Sequence, residues 1–207
     1  MRAFVTGTDT GVGKTYVVAL LTRALRRAGL DTLALKPLCS GDRADAEILR
    51  AASEDEASLD EVNPLWFSAP IAPLLAARAE GREVAIPALV EWFARVSAGR
   101  KSVLVEGAGG WLAPVASGGT VSTLCSALGL PVILVAANRL GCVNHVLLTL
   151  ESIRAHGQTC QGIILNSLPG ASDQSMSTNR SLLEEFTDVP ILFEISASQQ
   201  EIPLALV

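Results

Sequence analysis

The stretch FVTGTDTGVGKTYVV, Phe4 to Val18, runs from an apolar strand through a glycine-rich turn into a helix, and its Gly13-Lys14-Thr15 is the ending of a phosphate-binding loop. Five residues separate Gly7 from Gly13, one more than the usual loop holds. Such a turn points successive backbone N–H groups at a phosphate, at a helix end whose dipole favours anions. In that scheme Lys14 reaches the terminal phosphates. The Thr15 hydroxyl joins the shell of a Mg²⁺ ion, which takes its remaining oxygens from water, carboxylates and phosphate. The flanks agree: RAFV reads as a buried strand, and YVVALLTRALRRAG has helical periodicity closed by Gly29.

Working outward, apolar strands alternate with helices. RAFVT, DTLALK, KSVLVE, PVILVAAN, GIILN and VPILFE are the candidate strands, with helices starting near Gly13, Asp45, Ala88, Thr120, Val143 and Ser177. That alternation predicts an α/β fold of the P-loop NTPase type: one domain over residues 1–207, three layers, a mostly parallel sheet with helices on both faces. Its ligands belong beyond the carboxyl ends of the strands. The acidic run SEDEASLDE, Ser53 to Glu61, is expected to be a solvated loop.

Composition narrows the function classes. The 207 residues are 49% hydrophobic and only 4% aromatic, as when Ala, Val and Leu fill parallel strands and helices. A formal net charge of −5 without a basic tract argues against nucleic acid as a partner. No run of eighteen apolar residues marks a membrane span, and no charged leader precedes the first strand, so a cytoplasmic protein is expected. Cys39, Cys125, Cys142 and Cys160 lack metal-ligand spacing and read as small buried residues.

Polar and glycine-rich residues gather after the strands: KPLCSGDRADAE after the second, EGAGGWLAP after the third, NRLGCVNH after the fourth and NSLPG after the fifth. Lys36 ends an apolar strand and is held extended by Pro37. It is either a second cation for charge developing on phosphate or a lysine reaching solvent. Glu106 precedes the Gly-Ala-Gly-Gly turn, where a carboxylate costs desolvation unless it is paired or on a metal. Asp45 is either a metal ligand or a first-turn carboxylate favoured by the helix dipole.

FVTGTDTGVGKT, KPLCSG, VEGAGGWLAP, GLPVILV and LGCVNH, in that order, closely resemble the dethiobiotin synthetases, whose loop also has the longer glycine spacing. The resemblance implies an ATP- and Mg²⁺-dependent homodimeric ligase. It would close a ureido ring from 7,8-diaminononanoate and CO₂ through a carbamate and a carbamic-phosphoric anhydride. By the same resemblance Asp9, Thr10, Gly11, Val12, Gly13, Lys14, Thr15 and Tyr16 cradle ATP together with Glu106, and Asn166 reads adenine. Thr15, Asp45 and Glu106 match the family's Mg²⁺ ligands. Lys36, Lys14 and Thr10 match its catalytic positions. Thr10, Lys36, Ser40 and Gly109 match contacts to the diamine end, and Gly141, Cys142, Val143 and Asn144 supply backbone N–H groups to the remote carboxylate across the dimer interface.

Departures from the family pattern are equally specific. Ala72 and Leu74 stand where a Ser-Pro-His motif is usual, and Thr178 or Asn179 where a tyrosine often serves the substrate carboxylate. The segment EISASQQEIP also diverges where the family completes its base pocket. A nucleotide-switched ATPase of the partitioning or septum-positioning type is the rival of different class. Those proteins carry a second lysine early in the loop, near the place of Asp9 here. A divergent relative that binds nucleotide without ligase activity is the third reading.

Overall fold

The computed structural model describes residues 1–170 and 172–202. In chain order its elements are β1 (Arg2–Gly7), α1 (Lys14–Arg27), β2 (Thr32–Leu35), β3 (Leu38–Ser40), α2 (Ala44–Ala52), α3 (Leu59–Val62), β4 (Leu65–Phe67), α4 (Pro73–Ala79) and α5 (Ile86–Val96). Then follow β5 (Ser102–Glu106), β6 (Pro114–Ala116), β7 (Gly119–Thr120), α6 (Val121–Leu128), β8 (Val132–Ala137), α7 (Cys142–Ala155), β9 (Cys160–Asn166), a 3₁₀ turn at Gln174–Ser177, α8 (Asn179–Phe186) and β10 (Ile191–Ile195).

Six strands form one parallel sheet in the order β10-β9-β8-β1-β5-β2. These are the six apolar runs read from the sequence. Their central residues are apolar because both faces are covered, with polar residues such as Arg2, Gln161 and Glu194 left to strand ends and the edge strand. Along β8 the side chains of Val132, Leu134 and Ala136 enter one core, while Ile133, Val135 and Ala137 enter the other. Strand periodicity sends alternate residues to opposite faces, and each buried Val, Ile or Leu contributes about 1.5–3 kcal/mol. One face packs against α1 and α2, through Val17, Leu20, Leu21 and Leu49 among others. The other packs against α5 to α8, through Leu89, Phe93, Leu124, Val146 and Leu183.

The shorter elements lie outside the large sheet. β3 pairs with β4, and β6 with β7, in two-stranded ribbons above its carboxyl edge. The acidic run is less simple than a solvated loop. Ser53 is fully buried, its hydroxyl accepting from Ala34 N–H and donating to Leu49 O at 2.9 Å each. Glu54 and Glu56 pair with Arg26 at 2.9 and 2.6 Å, Glu56 also with Arg100 at 2.9 Å, and Ser58 with Glu61 builds a capping box on α3. The run is therefore a strap pinned at both ends, its exposed carboxylates laid over the largely covered Arg26 and Arg100. Among the described residues no helix is long and apolar enough to cross a membrane.

Candidate active site

β1 delivers Gly7 to the carboxyl edge of the sheet, and the loop from Thr8 to Gly13 wraps the first turn of α1. Gly13 is the N-cap at φ 85°, and no side chain caps the helix, so its first N–H groups are left for an anion. A Cβ on Gly13 would lie 2.1 Å from Asn166 Nδ2. Asn166, at the end of β9, is buried against the loop and donates through Nδ2 to Val12 O at 2.9 Å, while its Oδ1 has no partner. Lys14 is buried and donates to Asp9 O at 3.0 Å. Burial pulls its ammonium down to about 8, with Glu106 resisting and Lys36 adding to the pull. The loop is tied to the next turn by Trp111 N–H on Gly7 O at 3.2 Å.

Lys36 resolves its two readings. It is buried just past β2, and its ammonium donates to Asp45 Oδ2 at 2.7 Å and to Glu106 Oε1. The Thr15 hydroxyl donates to the same Glu106 oxygen at 2.9 Å. Burial works against the charged lysine, but Glu106 and Asp45 outweigh it and hold the ammonium above the ordinary lysine range. Burial likewise opposes the ionised Asp45, yet Lys36 and a hydrogen bond from Thr15 keep its carboxyl below the usual range. Burial pushes the Glu106 carboxyl up, with Lys36 pulling against it. Asp45 is thus more than a helix-dipole carboxylate, although it does sit in the first turn of α2.

This donor set fits a hard divalent cation. One hydroxyl and two carboxylates from three separate elements converge on one point, now held by an ammonium. Glu106 Oε2 is buried without any partner, an oxygen that a cation would satisfy.

A cleft of about 440 Å³ opens beside this cluster, with Thr10, Lys36, Ser40, Asp45 and Gly109 in its lining. Part of the lining is apolar, formed by Pro70, Ile71, Ala72 and Pro73. The structure thereby brings together the residues read from the phosphate loop and those matched to the diamine end. Ala72 lies on the wall itself, so the absent polar side chain leaves apolar surface there. Gly141, Cys142, Val143 and Asn144 do not reach this cleft: Gly141 is the N-cap of α7 at φ 87°, and Leu140 beside it is 76% exposed.

Some residues fall elsewhere than the sequence suggests. Asn179 cannot replace the interface tyrosine, because it is buried and its amide donates to Asn138 Oδ1 at 2.8 Å, with Arg139 O and Ser175 Oγ beyond. Tyr16 turns its hydroxyl to Gln199 O, tying α1 to the diverged segment after β10. Sequence reasoning missed Asn63, which is buried and donates to Lys36 O at 2.7 Å, fixing the strand end that carries the lysine. Its one signal is the Asn63-Pro64 turn.

A family model described as an AAA domain matches residues 1–201. The ATP-dependent dethiobiotin synthetase BioD of Akkermansia muciniphila is 44% identical over 200 residues, covering 96% of this chain and 94% of that protein. Its namesake in Anaeromyxobacter dehalogenans is 46% identical over 188 residues, covering 89% and 84%. The one in Pseudomonas aeruginosa is 41% identical over 212 residues, covering 98% and 92%. Among solved structures, the septum site-determining protein MinD with Mg-ADP from Pyrococcus horikoshii superposes with a TM-score of 0.57 at 18% identity, over 96% of this chain and 82% of that one. The pNOB8 ParA bound to nonspecific DNA gives 0.57 at 12% identity, over 96% and 87%. At such identities these two share the P-loop NTPase fold and no more.

Proposed function

Because the chain belongs to the ATP-dependent dethiobiotin synthetase family, we propose that it closes the ureido ring of dethiobiotin from 7,8-diaminononanoate and CO₂, residues 1–207 acting as one cytoplasmic ligase domain. It is an enzyme of the ATP-dependent ligase class. The observation that carries the substrate reading is the convergence of Thr15, Lys36, Asp45 and Glu106 at the edge of a cleft that Lys36 and Asp45 line together with Thr10 and Ser40.

The chemistry is a relay of three bonds. One amine forms an N–C bond to CO₂ and loses a proton; the carbamate oxygen attacks the γ-phosphorus and ADP leaves; the second amine attacks the carbonyl carbon and gives up a proton as phosphate leaves with ring closure. The amides of Gly11 to Thr15 and the Lys14 ammonium hold the phosphates. Lys36 sits between the nucleotide loop and the cleft, where its charge stabilises the carbamate and the phosphoryl group in transit. Thr10 and Gly109 line the floor and Ser40 offers a buried hydroxyl without a partner to the diamine. Thr15, Asp45 and Glu106 would hold Mg²⁺, which supplies charge neutralisation at the β- and γ-phosphates. Asn166 faces the base with its free Oδ1, its Nδ2 being taken by Val12.

A homodimer accounts for the remote carboxylate. The N–H groups opening α7 stand outside the cleft, so they serve a neighbour's substrate rather than their own. A second groove of about 400 Å³ beside the loop, walled by Leu112 and Leu148 with 52% and 57% exposure, supports a packed partner there.

The test is phosphate release from Mg-ATP and bicarbonate, with and without 7,8-diaminononanoate, following dethiobiotin by mass. Diamine-dependent release matched by dethiobiotin is expected. Lys36→Gln, which keeps a donor toward Glu106, should lower kcat on the order of 10²-fold or more while leaving the ATP dissociation constant nearly unchanged. Release indifferent to the diamine would move the assignment to a nucleotide-switched ATPase.

A further inference from the structure

The cleft contains a carboxylate that neither the nucleotide nor the metal cluster uses. Asp42, between β3 and α2, lines the cleft with Lys36, Ser40 and Asp45. Asp45 is engaged with Lys36 at 2.7 Å, whereas among the described residues no Lys, Arg or His pairs with Asp42. The adjacent cation is turned away: the Arg43 guanidinium donates to Asn63 Oδ1 at 3.1 Å, Asn63 O at 2.8 Å and Asp60 at 2.9 Å.

The position of Asp42 is fixed rather than left to a loose loop. Gly41 N–H donates to Phe67 O at 2.9 Å, Gly41 O accepts from Trp66 Nε1 at 2.7 Å, and Asp42 Oδ1 accepts from Ala44 N–H at 3.1 Å. The second carboxylate oxygen, Oδ2, has no such engagement. The backbone is thus anchored on both sides of a side chain that presents an acceptor to the cleft.

We propose that Asp42 is a specificity-determining residue that binds the protonated amine of a vicinal diamine and so leaves the other amine neutral beside Lys36. This rests on the diamine reading above. Two adjacent amines share about one proton near neutral pH, because a second ammonium next to the first is repelled. Only the neutral amine can add to CO₂. A carboxylate in the same cleft lining as Lys36 sorts the two: the ammonium goes to Asp42, the free amine to the side of Lys36.

The experiment compares wild type with Asp42→Asn and Asp42→Ser, both of which keep an acceptor for Ala44 N–H and hence the start of α2. At low salt each variant should raise the KM for 7,8-diaminononanoate about fivefold, the size of an exposed ion pair, with the KM for ATP unchanged. Wild-type KM should rise with ionic strength, and the variants should have lost that rise. Variants with wild-type KM and wild-type salt response would reduce Asp42 to a cap of α2 and overturn the inference. Binding of 2,3-diaminobutane in the presence of Mg-ADP, by calorimetry, separates the two levels. Binding that is lost in Asp42→Asn, in a protein that makes no dethiobiotin, sustains the inference and overturns the ring-closing reading. Equal binding by all three proteins overturns the inference whatever the turnover.

Discussion

Two helices of this protein begin alike and are surrounded differently. α1 and α7 are each fourteen residues long, each is capped by a glycine in the left-handed region, at φ 85° and 87°, and neither has a side-chain cap or an acidic residue in its first turn. Both therefore leave first-turn N–H groups to an anion. At α7 the Cys142 N–H is taken by Arg139 O at 3.0 Å and the Leu140 N–H by Asp173 at 3.0 Å, so Val143 and Asn144 are the ones left. Around α1 the site is closed: Asn166 lies against Gly13, Lys14 is buried, and two carboxylates and a second lysine stand within reach. Around α7 it is open, with nothing within 4 Å of where a Gly141 side chain would begin. One chain completes the first anion site by itself. On the reading proposed above, the second is half a site, completed by a neighbouring copy of the chain.

The closed site should break hardest. Gly13→Ala places a methyl against the Asn166 amide and forces an L-residue to positive φ, costs of about 1–3 and 1–2 kcal/mol that fall together on the bound nucleotide. Affinity for Mg-ATP should drop on the order of 10²–10³-fold, read by titration with a non-hydrolysable analogue. Retained affinity would mean that the loop and Asn166 move freely, against their packing.

A smaller effect follows from the buried lysine. Lys14 titrates near 8 in the folded protein, below its ordinary 10.5, because burial disfavours the ammonium. Below about pH 8 the ammonium is already in place for the phosphates. Above it, binding must take up a proton, so affinity for the analogue should fall by up to about tenfold per pH unit between 8 and 10. Over the same window the folded protein without nucleotide holds fewer protons than the unfolded chain, so this lysine makes stability rise with pH. An affinity flat from pH 7 to 10 would show that Lys14 stays charged throughout.

The closed site was also the legible one. A strand, a glycine turn and Gly13-Lys14-Thr15 are contiguous, and Lys36 and Glu106 each end an apolar run where a charge has no structural reason to be. Their convergence is a property of the strand order β1-β5-β2, which the alternation of strands and helices does not give. What stayed hidden depends on elements too short to have a period. β3, β4, β6 and β7 are two or three residues each; β3 lines the cleft through Leu38, Cys39 and Ser40, and its partner β4 leads into the apolar segment Pro70 to Pro73. Asp42 was invisible for that reason: its role comes from Gly41 being clamped between Phe67 and Trp66, residues distant in sequence. Asn179 is misleading in the sequence because its polar side chain stands at the tyrosine's place, whereas the Asn138–Asn179 pair is internal scaffolding.

The open site should give the mildest and most selective defect. Gly141→Ala meets no atom, so only the conformational cost of positive φ remains, about 1–2 kcal/mol. That cost displaces the N–H groups of Val143 and Asn144 from the geometry a carboxylate needs; the Cys142 N–H is already held by Arg139 O at 3.0 Å. Because the carboxylate is far from the reacting amines, the lost contact is felt equally in ground and transition states, so KM for 7,8-diaminononanoate should rise up to about tenfold with kcat held. ATP affinity should not move, since α1 is untouched. Gly141→Asn, a residue that tolerates the left-handed region, should recover most of the loss. A KM unchanged in both variants would mean that the second helix start, for all its likeness to the first, binds no substrate.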